Sequence, residues 1–101
     1  MNVVLKSGYV RARKDHPGDG SDYFDFAIKR EGYNLAELKE LGMSDDEIKS
    51  ILDARERNFN IQKGEMYYCQ VGVWDGDMYT FRTIKAIHEI LVKYDLYGEE
   101  D

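Results

Sequence analysis

Apolar and polar positions alternate along "NVVLKSGYVRARK", residues 2–14, and a period of two carrying β-branched valines predicts a strand. Gly8 in its middle predicts a bulge or a bend. The alternation returns in "YFDFAIK", residues 23–29, where Phe24, Phe26 and Ile28 alternate with Tyr23, Asp25, Ala27 and Lys29. That pattern predicts a half-buried second strand, paired with the first as a hairpin across "DHPGDGSD", Asp15 to Asp22.

The period then changes. Asn34 followed by Glu37 resembles a capping box, Leu35, Leu38 and Leu41 supply an apolar stripe, and Gly42 is placed to end a short helix. Ser44 and Glu47 form a second capping pair, Asp45 and Asp46 face the positive end of the helix they open, and Ile48, Ile51 and Leu52 form its buried face. The unit is a helical hairpin with Met43 plugging its corner. Beyond a linker holding Phe59 and Ile61, "GEMYYCQVGVW" reads as a strand. Tyr67, Cys69, Val71 and Val73 share one face, and Met66, Tyr68, Gln70 and Trp74 the other. Asp75-Gly76 between two alternating runs predicts a tight hairpin turn, with "MYTFR" as the returning strand. Ile84, Ile87, Ile90, Leu91 and Tyr94 recur at helical spacing, so a last helix is expected from about Thr83 to Tyr97, followed by a frayed acidic tail over residues 98–101.

These elements predict an α+β fold in the order β-β-α-α-β-β-α. Two β-hairpins join in one antiparallel sheet, and the helical hairpin and C-terminal helix pack on it. The 101 residues suffice for one domain with one modest core, spanning 1–101. No apolar run approaches the roughly 18 residues needed to cross a membrane, and "MNVVLKSGYV" lacks the features of a signal peptide. The lone Cys69 excludes an internal disulfide and fits a reducing, cytoplasmic setting.

Charge sharpens the picture. The net charge is −6, yet residues 1–14 carry Lys6, Arg11, Arg13 and Lys14 with no acid. An acidic body disfavours nucleic acid, whose phosphates it repels, and favours a basic protein partner.

Candidate chemistry is sparse. In the Asp15–Asp22 loop, Asp15, His16, Asp19 and Asp22 offer metal-ligand types, but their spacing fits neither a calcium loop nor a zinc site. Pro17, Gly18 and Gly20 read as turn-formers, leaving a mobile polar connection between strands. His88 lies at the border of the last helix's apolar stripe, without a serine or second histidine at a motif spacing. Cys69, mid-strand, reads as a small buried hydrophobe, and Asp75 and Asp77 as a hairpin tip. No phosphate-cradling glycine loop, CxxC or HExxH occurs. No catalytic residue, metal or cofactor is therefore expected.

Eight tyrosines exceed what a small core needs, and tyrosine is enriched at interfaces. Some of Tyr9, Tyr23, Tyr67, Tyr68, Trp74 and Tyr79 should stay accessible. The expectation is a small acidic, non-catalytic interaction protein that binds and inhibits another protein. Asp45, Asp46, Glu47, Asp53, Tyr68 and Trp74 are the candidate contacts. By analogy of charge and size with mobile-element or phage inhibitors, its carboxylates would mimic phosphates on a basic, nucleic-acid-binding surface. One alternative is a single-stranded nucleic-acid binder using Tyr9, Arg11 and Arg13 on the first strand. Another is a small-ligand or metal-dependent enzyme built on the Asp15–Asp22 loop.

Overall fold

In a computed structural model that describes residues 2–29 and 32–98, the longest strand, β1 (Asn2–Arg11), pairs with a segment more than fifty residues away. Its partner is β4 (Met66–Trp74), which also pairs with β5 (Asp77–Ile84), giving an antiparallel sheet of order β1-β4-β5. The helical elements are α1 (Leu35–Glu40), α2 (Asp45–Glu56) and α3 (Lys85–Lys93). The fold is α+β, as the hydrophobic pattern predicts.

The first hairpin does not form. Residues Ser21–Phe24 make a 3₁₀ turn, and only two-residue strands follow, β2 (Ile28–Lys29) and β3 (Gly32–Tyr33), paired with each other. Burial gives the reason. Phe24, Ala27 and Ile28 are buried at helix-like spacing, while Phe26 is exposed. Ala27 N–H donates to the Phe24 carbonyl at 2.9 Å, closing a turn that no flat strand could hold. The first strand stops at Arg11, three residues short of Lys14, and the irregularity in its pairing falls at Leu5 and not at Gly8.

The Asp75-Gly76 turn is as expected. Both residues have positive φ, 51° and 87°, as a type I′ turn requires. β5 runs to Ile84 because Ile84 still pairs with Tyr67, so α3 begins two residues later than its periodicity suggests. Of the tail, residues 99–101 lie outside the described residues.

All three helices end in the same motif. Met43, Phe59 and Leu96 donate their N–H groups back to the carbonyls of Leu38, Ala54 and Leu91, while Gly42, Asn58 and Asp95 donate to Lys39, Arg55 and Val92. The turning residues all have positive φ, 96°, 54° and 53°. This is the Schellman arrangement, and the apolar residue after each turn packs back on the helix it leaves. Met43 and Phe59 become core in this way. The core gathers Phe24, Leu38, Ile48, Ile51, Ile61, Ile87 and Leu91 between the helices and the lower end of the sheet, where Tyr67, Thr83 and Ile84 are buried. The hairpin end projects beyond it, leaving Val3, Val4, Leu5, Trp74 and Met78 exposed.

Candidate functional site: an aromatic groove

Directly opposed residues in an antiparallel pair share a face. The registers therefore place Asn2, Val4, Tyr9, Tyr68, Gln70, Gly72, Tyr79 and Phe81 on one side of the sheet. α3 crosses the lower part of that side, and its His88 ring lies flat on Tyr68, with centroids 3.6 Å apart and planes 3° from parallel. Above this stack the sheet is open. The result is a groove of about 660 Å³ lined by Asn2, Val4, Tyr23, Tyr68, Gln70, Tyr79, Phe81, His88, Val92 and Tyr97. None of these side chains is a carboxylate, a lysine or an arginine.

Two sets of contacts fix its walls. On one side Tyr68 Oη donates to Gln70 Oε1 at 2.7 Å, Gln70 Nε2 to Tyr79 Oη at 2.9 Å, and Tyr79 Oη to Asn2 Oδ1 at 2.7 Å. On the other, Tyr23 meets Tyr97 edge-on at 4.9 Å and Phe81 at 6.5 Å, and Phe81 meets Tyr97 at 5.9 Å. The floor depends on Gly72. A Cβ there would lie 2.6 Å from Tyr79 Oη and 2.7 Å from its Cζ, so the phenol ring lies across the bare backbone.

His88 Nδ1 and the Tyr97 hydroxyl are hydrogen-bonded at 2.7 Å. Burial lowers the histidine's pKa, with Glu89 opposing, and burial raises that of Tyr97. Near neutral pH both are uncharged, and a neutral imidazole carrying its proton on Nε2 accepts the phenol at Nδ1. With one ring face covered by Tyr68 and Nδ1 occupied, His88 acts as a wall of the groove. Cys69 is half-buried and belongs to the opposite face.

The Asp15–Asp22 loop is stitched to the body. His16 and Ile61 exchange two backbone hydrogen bonds, at 2.9 and 2.8 Å, Asp15 Oδ1 accepts the Lys63 amide at 2.7 Å, and Asp19 Oδ2 accepts the Arg82 amide at 3.0 Å. Gly18 passes so close to Phe59 that a Cβ would fall 1.7 Å from its carbonyl oxygen. The loop is a fixed strap, where a mobile connection was expected. No group of three or more potential metal ligands occurs among the described residues.

The other candidate residues are scattered. Asp45 and Asp46 are exposed at the start of α2, and Asp53 pairs with Lys49 at 2.9 Å on its surface. Glu47 completes the capping box with Ser44 and also accepts Tyr94 Oη at 2.6 Å and Lys93 Nζ at 3.1 Å. The Ser44 amide, the Tyr94 hydroxyl and Lys93 together hold its carboxyl down at about 2, against an opposing effect of burial. Glu47 thus clamps α2 to α3. Trp74 stands exposed at the hairpin tip on the groove side. Tyr9 packs edge-on to Tyr68 and His88 with Lys85 Nζ 5.4 Å from its ring. Of the Tyr9, Arg11 and Arg13 set, Tyr9 and Arg11 share the groove side of β1, Arg11 donating to the Gly64 carbonyl at 2.7 Å, and Arg13 lies beyond the strand.

Of the groove, sequence reasoning singles out Tyr68 as a contact and marks Tyr23 and Tyr79 as accessible. Gln70 is placed on the Tyr68 face and His88 at the border of an apolar stripe, but neither these two nor Phe81 and Tyr97 are named as contacts. The Asp75-Gly76 turn carries part of the signal, since it sets Gln70 opposite Phe81 and Gly72 opposite Tyr79. Comparison of the chain with protein-family models, curated proteins and solved structures finds no match.

Proposed function

We propose that the protein is a non-catalytic interaction module that seats an apolar or aromatic segment of a protein partner in the groove. The observation that carries this reading is the groove itself, open, aromatic and uncharged, with Tyr68, Gln70, Tyr79 and Asn2 already joined in a hydrogen-bonded chain along one wall. Such a surface rewards shape and apolar burial, and buried aromatic anchors dominate binding energy at interfaces. Exposed Val4, Trp74 and Val92 continue the apolar surface outward. The net charge of −6 favours a partner with a basic surface, and exposed Asp45 and Asp46 add to that preference. Covering such a surface is a direct route to inhibiting a partner that handles nucleic acid. A reducing, cytoplasmic setting suits the single cysteine. No helix among the described residues is long and apolar enough to cross a membrane.

The test is a photo-crosslinking residue introduced at Val92 in the native host, followed by purification of whatever it captures and titration against the wild-type chain. A protein partner whose affinity falls by about tenfold or more with Phe81→Ala supports the reading. Capture of nucleic acid alone, or an affinity indifferent to Phe81→Ala and Tyr79→Ala, sinks it.

A further inference from the structure

β1 is an outer strand of its sheet. β4 is its single strand partner among the described residues, so the outward-pointing N–H and C=O groups along its other side meet no strand. Proteins commonly guard such edges with charge, proline, short length or a covering loop, because an open edge templates pairing with another chain. This edge is ten residues long, about 34 Å at ~3.4 Å per residue, and nine of the ten are exposed. Lys6 and Arg11 are its only charges.

A row of backbone donors and acceptors is satisfied by another extended strand. That strand must also be apolar on both sides, since Val3 and Val10 are exposed on one face and Val4 and Tyr9 on the other. β1 meets this description itself. We propose that the chain forms a two-fold dimer in which β1 pairs antiparallel with β1 of a second copy, the two-fold axis passing through Ser7.

The register follows from the faces. Asn2, Val4, Ser7, Tyr9 and Arg11 lie on the groove side, and Val3, Lys6, Gly8 and Val10 on the other, the alternation breaking at Leu5. An axis at Ser7 sets Lys6 opposite Gly8 of the second copy. Leu5 then stays the extra residue, as it is against β4. Val4 falls opposite Tyr9, Val3 opposite Val10, and Asn2 opposite Arg11. Every pair shares a face, apolar meets apolar, and no two charges oppose. An axis at Lys6 would oppose two lysines. One at Gly8 would set Lys6 opposite Val10 and Val4 opposite Arg11, and one at Tyr9 would carry Val3 and Val4 past the end of β1. The product is a six-stranded sheet, an ordinary size, and an isologous interface of the commonest symmetry. Because Val4 lines the groove, Tyr9 of the second copy would lengthen that groove. The inference rests on the edge and stands or falls apart from the reading of the groove.

Light scattering or sedimentation of the wild-type chain from micromolar to millimolar concentration should show the mass rising from 11.8 kDa to twice that value. Val3→Lys with Val10→Lys sets lysine opposite lysine in both Val3–Val10 pairs and should weaken association by about tenfold or more. Val3→Lys with Val10→Glu sets opposite charges there and should restore it. Both residues are exposed, and circular dichroism checks that each variant folds. In a Cys69→Ser background, Ser7→Cys should crosslink to itself under mild oxidation, whereas Lys6→Cys, facing glycine, should not. A chain monomeric throughout that range, a dimer unaffected by Val3→Lys with Val10→Lys, or equal crosslinking at positions 6 and 7 overturns the proposal.

Discussion

His88 lies flat on Tyr68, centroids 3.6 Å apart, while its Nδ1 is tied to the Tyr97 hydroxyl. Three elements meet there, β4, α3 and the segment after α3. Protonating the imidazole would put a charge into this half-buried stack and turn Nδ1 from an acceptor into a donor. Burial lowers the folded-state pKa, so the unfolded chain binds the proton more readily. The contribution to stability is therefore complete above about 6.5, the ordinary histidine value, and is lost as the pH falls from there toward the lowered folded value. Denaturant titrations at several pH values should show stability declining below neutrality, with His88→Gln flattening the decline. An NMR titration placing the His88 midpoint at or above the ordinary value would contradict the assignment.

Glu47 carries two duties, and they separate by mutation. Ser44→Ala removes the hydroxyl that caps the α2 amide and should cost about 1 kcal/mol, or roughly 4–8 °C in Tm for a domain of this size. Glu47→Ala should cost more, since it also releases Tyr94 and Lys93 of the α3 end. A double-mutant cycle of Glu47→Ala with Tyr94→Phe should show coupling, and strict additivity would remove the clamp. Because the folded carboxyl is held at about 2, its contribution is full above the ordinary glutamate range and is lost as the pH falls toward that value.

Asp95 occupies the left-handed turn at the end of α3, at φ 53°, where Gly42 serves α1. An L side chain is strained there, and a carboxylate at a helix C-terminus opposes the helix dipole. Asp95→Gly should stabilise the protein by roughly 1 kcal/mol, read as a raised denaturation midpoint with an unchanged slope. A lower midpoint would show that the Asp95 side chain makes a compensating contact.

Gly72→Ala should damage both the sheet and the groove. The added methyl meets the Tyr79 ring, which can turn aside, and the Val3 carbonyl oxygen at 2.7 Å, which belongs to the neighbouring strand and cannot. A loss of roughly 1–3 kcal/mol is expected, with Tyr79 displaced from the groove floor. Tyr79→Ala in the same background should recover part of the loss, because it removes the softer of the two clashes. No recovery would locate the whole cost at the β1 backbone.

How much of this was legible in the sequence follows from the range of the forces involved. The Ser44–Glu47 capping box, the stop at Gly42 and the Asp75-Gly76 turn each depend on residues a few positions apart, and the local pattern determined them. The β4–β5 register followed from the turn, and with it the shared face of Tyr68, Gln70, Tyr79 and Phe81. The alternation at 23–29 misled, because Phe24 and Ile28 are as readily buried by a tight turn as by a strand, and only packing against the helices decides between them. The same is true of the Asp15–Asp22 loop, whose carboxylates look like ligands until the amides of Lys63 and Arg82 arrive beside them. Sequence alone determined the capped helices, the Asp75-Gly76 hairpin, the α+β class and the acidic charge. Tertiary structure decided that β1 joins β4 across more than fifty residues, and that Tyr23, His88 and Tyr97 close over the sheet. No local periodicity encodes those meetings. They depend on which distant surfaces bury one another best.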